Sequence, residues 1–249
     1  TSRALSVEGR SLPGDVNPLD LPAPVDCGAG WALDLGLPVD GRNNTFDLAC
    51  AASGGAQADS DVVTVRRATV QETLPEAGRL QIQSTRIQGH IFAGDVIPAG
   101  FTPVDSTTHD LLVNSYYVAA DSNLVPGAPT LRRKTLAVVG GAPAIVDQEV
   151  APGVENLQVQ FGIDVDADNT VDQYVNPGDP IYIPGAAGFV PGARILTARV
   201  WLIVRGLTRE GGIIDGRDYE PGDRDLGVQN DEFRRMMVSK TILLRNSRT

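Results

Sequence analysis

The alternation of apolar and polar residues is clearest in the middle of the chain. Leu157, Val159, Phe161 and Ile163 alternate with Asn156, Gln158 and Gln160. A period of two is typical of a β-strand that has one buried face and one solvated face. We therefore predict a strand over 157–163, and we take it as the element around which the sheet is organised.

Six further segments alternate in the same way or are rich in β-branched residues, and we predict strands for them as well. These segments are residues 61–70, 79–83, 111–119, 130–138, 194–205 and 237–245. The linker 120–129 contains two prolines and a glycine, which favours a hairpin with a long loop. Segment 194–205 is almost continuously apolar, as expected of a central strand covered on both faces, so Arg199 within it needs a partner.

The remaining segments lack helical periodicity and are rich in proline and glycine. Residues 1–60 predict loop-rich structure, and residues 176–192 predict a surface loop. Residues 206–230 are long, polar and rich in glycine, which in a compact domain indicates a functional or mobile segment. We predict a mainly β fold, an antiparallel sheet with long loops, in one domain over 1–249 whose sheet body is 61–249.

Cys27 and Cys50 are the two cysteines of the chain, and no histidine lies near them. Two thiols cannot fill a tetrahedral zinc site, so the choice lies between a structural disulfide and two buried free thiols. We favour a Cys27–Cys50 disulfide that closes the loop-rich region. Such a bond predicts an oxidising compartment, the periplasm or the cell exterior.

The formal charge is −10 and the isoelectric point is near 4.6. A nucleic-acid partner is therefore unexpected, because it requires a basic surface. The residues from 194 onward are the basic part, with 11 cations and 8 anions. The doublets Arg132-Arg133 and Arg234-Arg235 indicate either charge that protects sheet edges or a patch that faces a partner. No run of about 18 apolar residues occurs, so no membrane span is predicted within the sequence.

The sequence offers little catalytic chemistry. His90 and His109 are the only histidines, and none of the common hydrolase, nucleotide-binding or redox motifs occurs. We predict His90 as a strand residue and His109 as a turn residue. We therefore predict neither an enzyme nor a small-molecule substrate.

A cluster of carboxylates follows the organising strand directly. Asp164, Asp166 and Asp168 occupy positions 1, 3 and 5 of an EF-hand-like loop, the Thr170 carbonyl takes position 7 and Asp172 position 9. All these ligands are oxygens, which predicts calcium, although Asn169 and Val175 replace the usual glycine and glutamate of positions 6 and 12. The alternative is a solvated acidic turn between two strands.

Several segments together resemble the PilW family of type IV pilus minor pilins. They appear in the family's order and cover roughly the last 140 residues. They are Tyr116-Tyr-Val-Ala, Pro129-Thr-Leu-Arg-Arg, 153–164 with its Asp-rich turn, Ala198-Arg-Val-Trp-Leu-Ile-Val-Arg, Phe233-Arg-Arg and Leu244-Arg-Asn. Residues 1–110 match more loosely.

The resemblance implies a pilin-like α+β ectodomain whose N-terminal helix, the family's inner-membrane anchor, is missing from this sequence. It also implies a non-enzymatic subunit that primes pilus assembly, with other minor pilins and a tip-associated adhesin as partners. The expected locations are the bacterial inner membrane, the periplasm and the extracellular pilus, with links to cell adhesion and twitching motility. The alternatives are an extracellular calcium-binding adhesive β module and a minor pseudopilin of type II secretion.

Overall fold

The computed structural model describes residue 21, residues 27–28 and residues 30–244, and it has a mainly β fold built from antiparallel strands. Short 3₁₀ helices lie at Trp31–Leu33 and Pro180–Tyr182. The strands are β1 Val39–Arg42, β2 Val62–Ala68, β3 Glu76–Ser84, β4 Gly89–Gly94, β5 Thr107–Ala119, β6 Thr130–Val139, β7 Ala142–Pro152, β8 Val154–Asp164, β9 Gln173–Val175, β10 Arg194–Arg205 and β11 Arg235–Leu243. The predicted fold class is confirmed.

The first sheet contains β1 to β7 and is organised around the long strand β5. The carboxyl-terminal half of β5 pairs with β2 and with β6, and its first four residues pair with β3. β4 extends the sheet from β3, β7 extends it from β6, and β1 lies at the far side of β2. The linker 120–129 joins β5 to β6 as the predicted hairpin.

The second sheet has the order β11-β10-β8-β9. β8 contains the predicted strand 157–163, and β10 lies between β8 and β11, as predicted for an interior strand. Full burial of β10 was expected, but only Leu196, Ala198 and Ile203 of its residues are buried. The reason is that this side of the second sheet has little cover from other layers of the described chain, since every residue of the neighbouring β11 from 236 to 243 is exposed.

The main core lies between the two sheets. Leu157, Val159, Phe161 and Ile163 point into it, and Val118 of the first sheet is in the same cluster. Tyr182 joins them from the predicted surface loop 176–192, with its ring edge-on to Phe161 at 5.7 Å. Burying an aromatic side chain of this kind stabilises a fold by about 2 kcal/mol, so one residue of that loop is part of the core.

The polar face of β8 departs from its prediction. Asn156 and Gln158 are 3% and 0% exposed, whereas a solvated face was expected. The chain before β2 covers them, because the amides of both side chains donate hydrogen bonds to the Asp59 carbonyl at 2.7 and 2.9 Å. Buried amides of this type need such partners.

Other local predictions have mixed outcomes. His90 lies in β4 as predicted, but the turn prediction for His109 is wrong, because His109 lies within β5. Strand β7 was missed, since Pro143, Pro152 and three charged or amide residues obscure its alternation. Arg199 has its partner, with the guanidinium carbon 3.5 Å from the ring centroid of Tyr174.

The amino-terminal part is cross-linked by a disulfide, as predicted. Cys27 and Cys50 form a disulfide with sulfur atoms 2.06 Å apart. Between them lie the 3₁₀ helix at Trp31–Leu33 and the short strand β1, in a region otherwise made of loops. The proline-rich stretch 1–20 and the final Arg245-Asn246 of the family-like segments lie outside the described residues. The single domain over 1–249 stays a prediction.

Candidate functional site

The predicted cation-binding turn connects β8 to β9. Carboxylate oxygens of Asp164, Asp166 and Asp172 lie within 4.8 Å of one another, close enough to share one ion. Asp164 ends β8 and is fully buried, whereas Asp166 and Asp172 are exposed at the surface. The strand therefore fixes one carboxylate, and the turn brings two more towards it.

Asp164 already has three partners. Arg194 donates to Oδ2 at 2.7 Å, and the backbone amides of Ala167 and Asn169 donate to its two oxygens at 2.7 and 3.0 Å. Burial opposes ionisation of this carboxyl, but these hydrogen bonds outweigh burial and lower the pKa of Asp164. The group is thus held as a carboxylate, the form that binds a cation.

The turn has the backbone shape that the sequence suggests, but a smaller ligand set. Ala167 and Asn169 have φ of 67° and 66°, and asparagine adopts this left-handed conformation more readily than most residues. The carboxylate of Asp168 accepts from the amide and the hydroxyl of Thr170, at 2.7 and 2.6 Å. Asp168 is therefore outside the cluster, and the five-residue ligand set stays a prediction with three of its carboxylates assembled.

Sequence reasoning missed Arg194. It lies 30 residues from Asp164 and reaches it because the two residues are paired in the β8–β10 register. The hydrophobic pattern identifies Arg194 only as the first residue of a strand. The signal that could have found it is an arginine opposite an acidic strand end.

Residues 206–234, the β10–β11 loop, form the second candidate surface. The loop is anchored on β8 and on the chain before β2. Arg224 forms an ion pair with Asp59 at 2.5 Å, and Asp223 accepts from Asn43 and Asn176 at 2.9 and 2.6 Å. At Gly222 a Cβ would lie 3.0 Å from the Cβ of Gln158, so the loop backbone rests directly on β8.

The loop ends in a buried ion cluster around Arg235. Its guanidinium donates to Glu155 at 2.5 Å and to Asp231 at 2.6 Å. The hydrogen bonds from Arg235 lower the pKa of Asp231 to about 2. A pocket of about 170 Å³ lies beside this cluster, and its three charged residues are all ion-paired, Glu155 with Arg235 and Asp59 with Arg224.

Both arginine doublets divide between the interior and the surface. Arg132 and Arg235 are buried and ion-paired, whereas Arg133 and Arg234 are part-exposed or exposed and bind Gln148 and Glu210. This is the alternation expected of neighbouring strand residues. One member of each doublet thus holds the fold together.

The described histidines do not form a catalytic group. His109 Nε2 lies 3.0 Å from the Thr107 hydroxyl, and the His90 ring lies 6.1 Å from that of Phe101. Burial lowers the pKa of His90. In the part of the chain that the structure describes, no helix has the length and apolar character to cross a membrane.

Comparison with known proteins gives one match. A family model described as type IV pilus-assembly protein W, PilW, matches residues 115–246. The matched region begins in β5 and includes the whole second sheet, the Asp-rich turn and the β10–β11 loop. No curated protein and no solved structure matches the chain.

Proposed function

The chain belongs to the PilW family of type IV pilus-assembly proteins, and from this premise we propose that it is a non-enzymatic minor pilin. In this role it joins other minor pilins in a complex that primes pilus assembly and is located at the pilus tip. The observation that carries the proposal is the family match, which covers just over half of the chain and every strand of the second sheet.

The described surface supports a role in protein contacts. The β10–β11 loop is long, is held in place by ion pairs with the chain before β2 and with β11, and still exposes Ile214 and Val228. Exposed sheet edges and ordered loops are common protein-recognition surfaces.

The family gives a location in the cell envelope or the pilus. We propose more specifically that the protein resides in the bacterial inner membrane and periplasm before assembly, held by an N-terminal helix, and in the extracellular pilus afterwards. Its proposed partners are the other minor pilins and a tip-associated adhesin. Twitching motility and adhesion then depend on it indirectly, through the number of pili.

Deletion of the gene tests this function. We expect a deletion strain to have strongly reduced surface pili and twitching, with both restored by the full-length gene. Counting pili by electron microscopy is the measurement, and type II secretion assayed in the same strain separates the pseudopilin alternative. Normal numbers of retractile pili in the deletion strain would overturn the proposal.

We also propose that the Asp164–Asp172 turn holds a calcium ion with a structural role. The support is the assembly of Asp164, Asp166 and Asp172 around one point, with oxygen ligands only. Water or the Thr170 carbonyl would complete the shell. Bound calcium would offset the repulsion among these carboxylates and fix the link between β8 and β9.

A further inference from the structure

Within the part of the chain that the structure describes, the outer edge of β11 has no paired strand. Leu244 N donates to Leu196 O, and Gly206 N donates to Arg234 O, so the even-numbered residues of β11 point their backbone groups towards β10. The odd-numbered residues therefore point theirs away from the sheet. We call the outward N–H and C=O groups of Met237, Ser239, Thr241 and Leu243 the β11 edge.

The β11 edge begins just after Arg235, the last outward residue of β11 whose backbone carbonyl has partners within the described chain. The carbonyl of Arg235, the first outward residue, accepts from Arg217 at 2.5 Å and from the Tyr219 hydroxyl at 3.2 Å. From Met237 to Leu243, no strand among the described residues pairs with this edge. Four consecutive outward residues thus offer four donors and four acceptors to a partner.

The other outer strands of the described chain are shorter or more irregular than β11. β1 and β9 have four and three residues. β7 contains two prolines and a bulge at Val150, and β4 has six residues with a glycine at each end. β11 has nine residues, no proline and an unbroken register with β10. Short strands, prolines and bulges are among the usual protections of sheet edges, and β11 has none of them. Its protecting feature is the charge of Lys240, which discourages pairing with a strand of like charge but not with a strand that bears a carboxylate.

Both faces of β11 expose apolar side chains. Met236, Val238 and Ile242 lie on one face and are 59%, 43% and 47% exposed, and Met237 and Leu243 lie on the other. An added strand would cover part of both groups at once through cross-strand pairs. Backbone groups and side chains therefore favour the same kind of ligand, an extended chain.

The charge of this region specifies the ligand further. β10 and β11 contain five cations and no carboxylate, in a chain of net charge −10. Four of these cations already have partners within the protein: three form ion pairs, and Arg199 lies over the Tyr174 ring. Lys240 is the exposed charge at the centre of β11. A second copy paired antiparallel about Ser239 would place two Lys240 side chains on one face as diagonal neighbours, which disfavours self-pairing. A carboxylate at that position would attract Lys240 instead.

We propose that the β11 edge binds an extended, carboxylate-bearing segment of another protein subunit by strand addition. This inference rests on the proposed function, because it names the surface and the kind of partner through which the subunit would enter the assembly. Main-chain hydrogen bonds would supply the affinity, and Lys240 with the flanking methionines would select the sequence.

The first experiment uses the purified protein and a synthetic peptide of about ten residues that alternates valine and glutamate, long enough to pair along β11. Ser239→Pro/Thr241→Pro removes two outward N–H groups that donate to nothing within the described protein, so the fold should persist. We expect peptide binding to weaken about tenfold or more, as expected for the loss of two hydrogen bonds. Ser239→Ala/Thr241→Ala, which keeps the N–H groups, should bind within about twofold of the natural sequence.

A charge reversal provides a second variant that leaves the backbone unchanged. Lys240→Glu should weaken binding of the glutamate peptide and strengthen binding of the same peptide with lysine in place of glutamate. Equal binding of both peptides by both proteins would overturn the proposal. Self-association of the natural protein in analytical ultracentrifugation, abolished by the proline pair, would overturn it in favour of a second copy.

The proline and alanine pairs in the full-length gene then separate this inference from the proposed function. We expect the proline pair, at normal protein level, to restore fewer pili to the deletion strain than the alanine pair does. If deletion reduces piliation but both pairs restore it fully, strand addition at β11 is wrong and the assembly function stands. If deletion has no effect on piliation, the proposed assembly function is wrong.

Discussion

The guanidinium of Arg235 lies 2.5 Å from the carboxylate of Glu155, although 80 residues separate them in the chain. Arg235 starts β11, and Glu155 is near the start of β8, so the ion pair reaches past the β10 strand that separates them. The Arg235 side chain is 2% exposed, and Asp231 is its second carboxylate partner. The contacts of Arg235 fix the carboxyl-terminal end of the β10–β11 loop to β8.

Replacing Arg235 should destabilise the protein strongly. Arg235→Ala leaves Glu155 and Asp231 without their common cation, and we expect a loss of about 3 kcal/mol in the free energy of unfolding. Arg234→Ala is the matched control, because Arg234 is exposed and its pair with Glu210 is a surface pair; a change of about 0.5 kcal/mol or less is expected. Urea denaturation measures both. Equal losses for the two variants would contradict the buried ion cluster.

The buried carboxyl of Asp61 should make stability depend on pH. Burial raises its pKa to about 6, although the backbone amides of Asn44 and Val159 donate to it at 2.8 and 2.7 Å and act in the opposite direction. Because this pKa is above the unfolded value of about 3.9, the folded state binds more protons between these two values. The contribution of Asp61 to stability is therefore present at low pH and is lost as the pH rises from about 4 to about 6.

The variant Asp61→Asn isolates this effect from the carboxyls with lowered pKa, such as Asp164, whose contribution changes in the opposite direction. We expect the stability of Asp61→Asn relative to the natural protein to increase by up to about 3 kcal/mol over that pH interval. Thermal or urea unfolding at several pH values measures the difference. A difference that is constant with pH would show that Asp61 has an ordinary pKa.

Removing the disulfide should destabilise the amino-terminal region and, with it, the first sheet. Cys27 and Cys50 are separated by 23 positions, and the loss of such a cross-link costs about 3 kcal/mol. We expect Cys27→Ser/Cys50→Ser to unfold at a lower temperature, and the natural protein in reductant to behave like the variant. An unchanged melting temperature in both cases would mean that the cross-link does not limit stability.

Calcium should stabilise the chelator-treated protein. At a concentration 100 times the dissociation constant, we expect a gain of about 2.7 kcal/mol in the free energy of unfolding. Asp166→Asn/Asp172→Asn should remove most of this gain, whereas Asp168→Asn, whose carboxylate binds Thr170 outside the cluster, should retain more of it. Thermal unfolding with and without millimolar calcium is the measurement. No stabilisation of the natural protein would leave the turn a solvated acidic loop.

The sequence by itself determined the features that depend on local pattern. The alternation from Leu157 to Ile163 identified β8, because the period of a strand is fixed by backbone geometry alone. The two cysteines limited the covalent choices, and the carboxylates after β8 marked the turn. The resemblance of several short segments, in order, was enough to indicate the family that the match over 115–246 confirms.

Only the tertiary structure decided which surfaces are covered. The polar face of β8 is buried because the chain before β2 reaches Asn156 and Gln158 from about 100 residues away. Arg194 binds Asp164, and Asp168 turns away from the other carboxylates, through a register and backbone angles that residue type does not encode. The outer edge of β11 is open because no strand of the described chain lies beside it. A local pattern allows a residue several possible contacts. Long-range packing determines which of them forms, because each contact must be compatible with all the others in one fold.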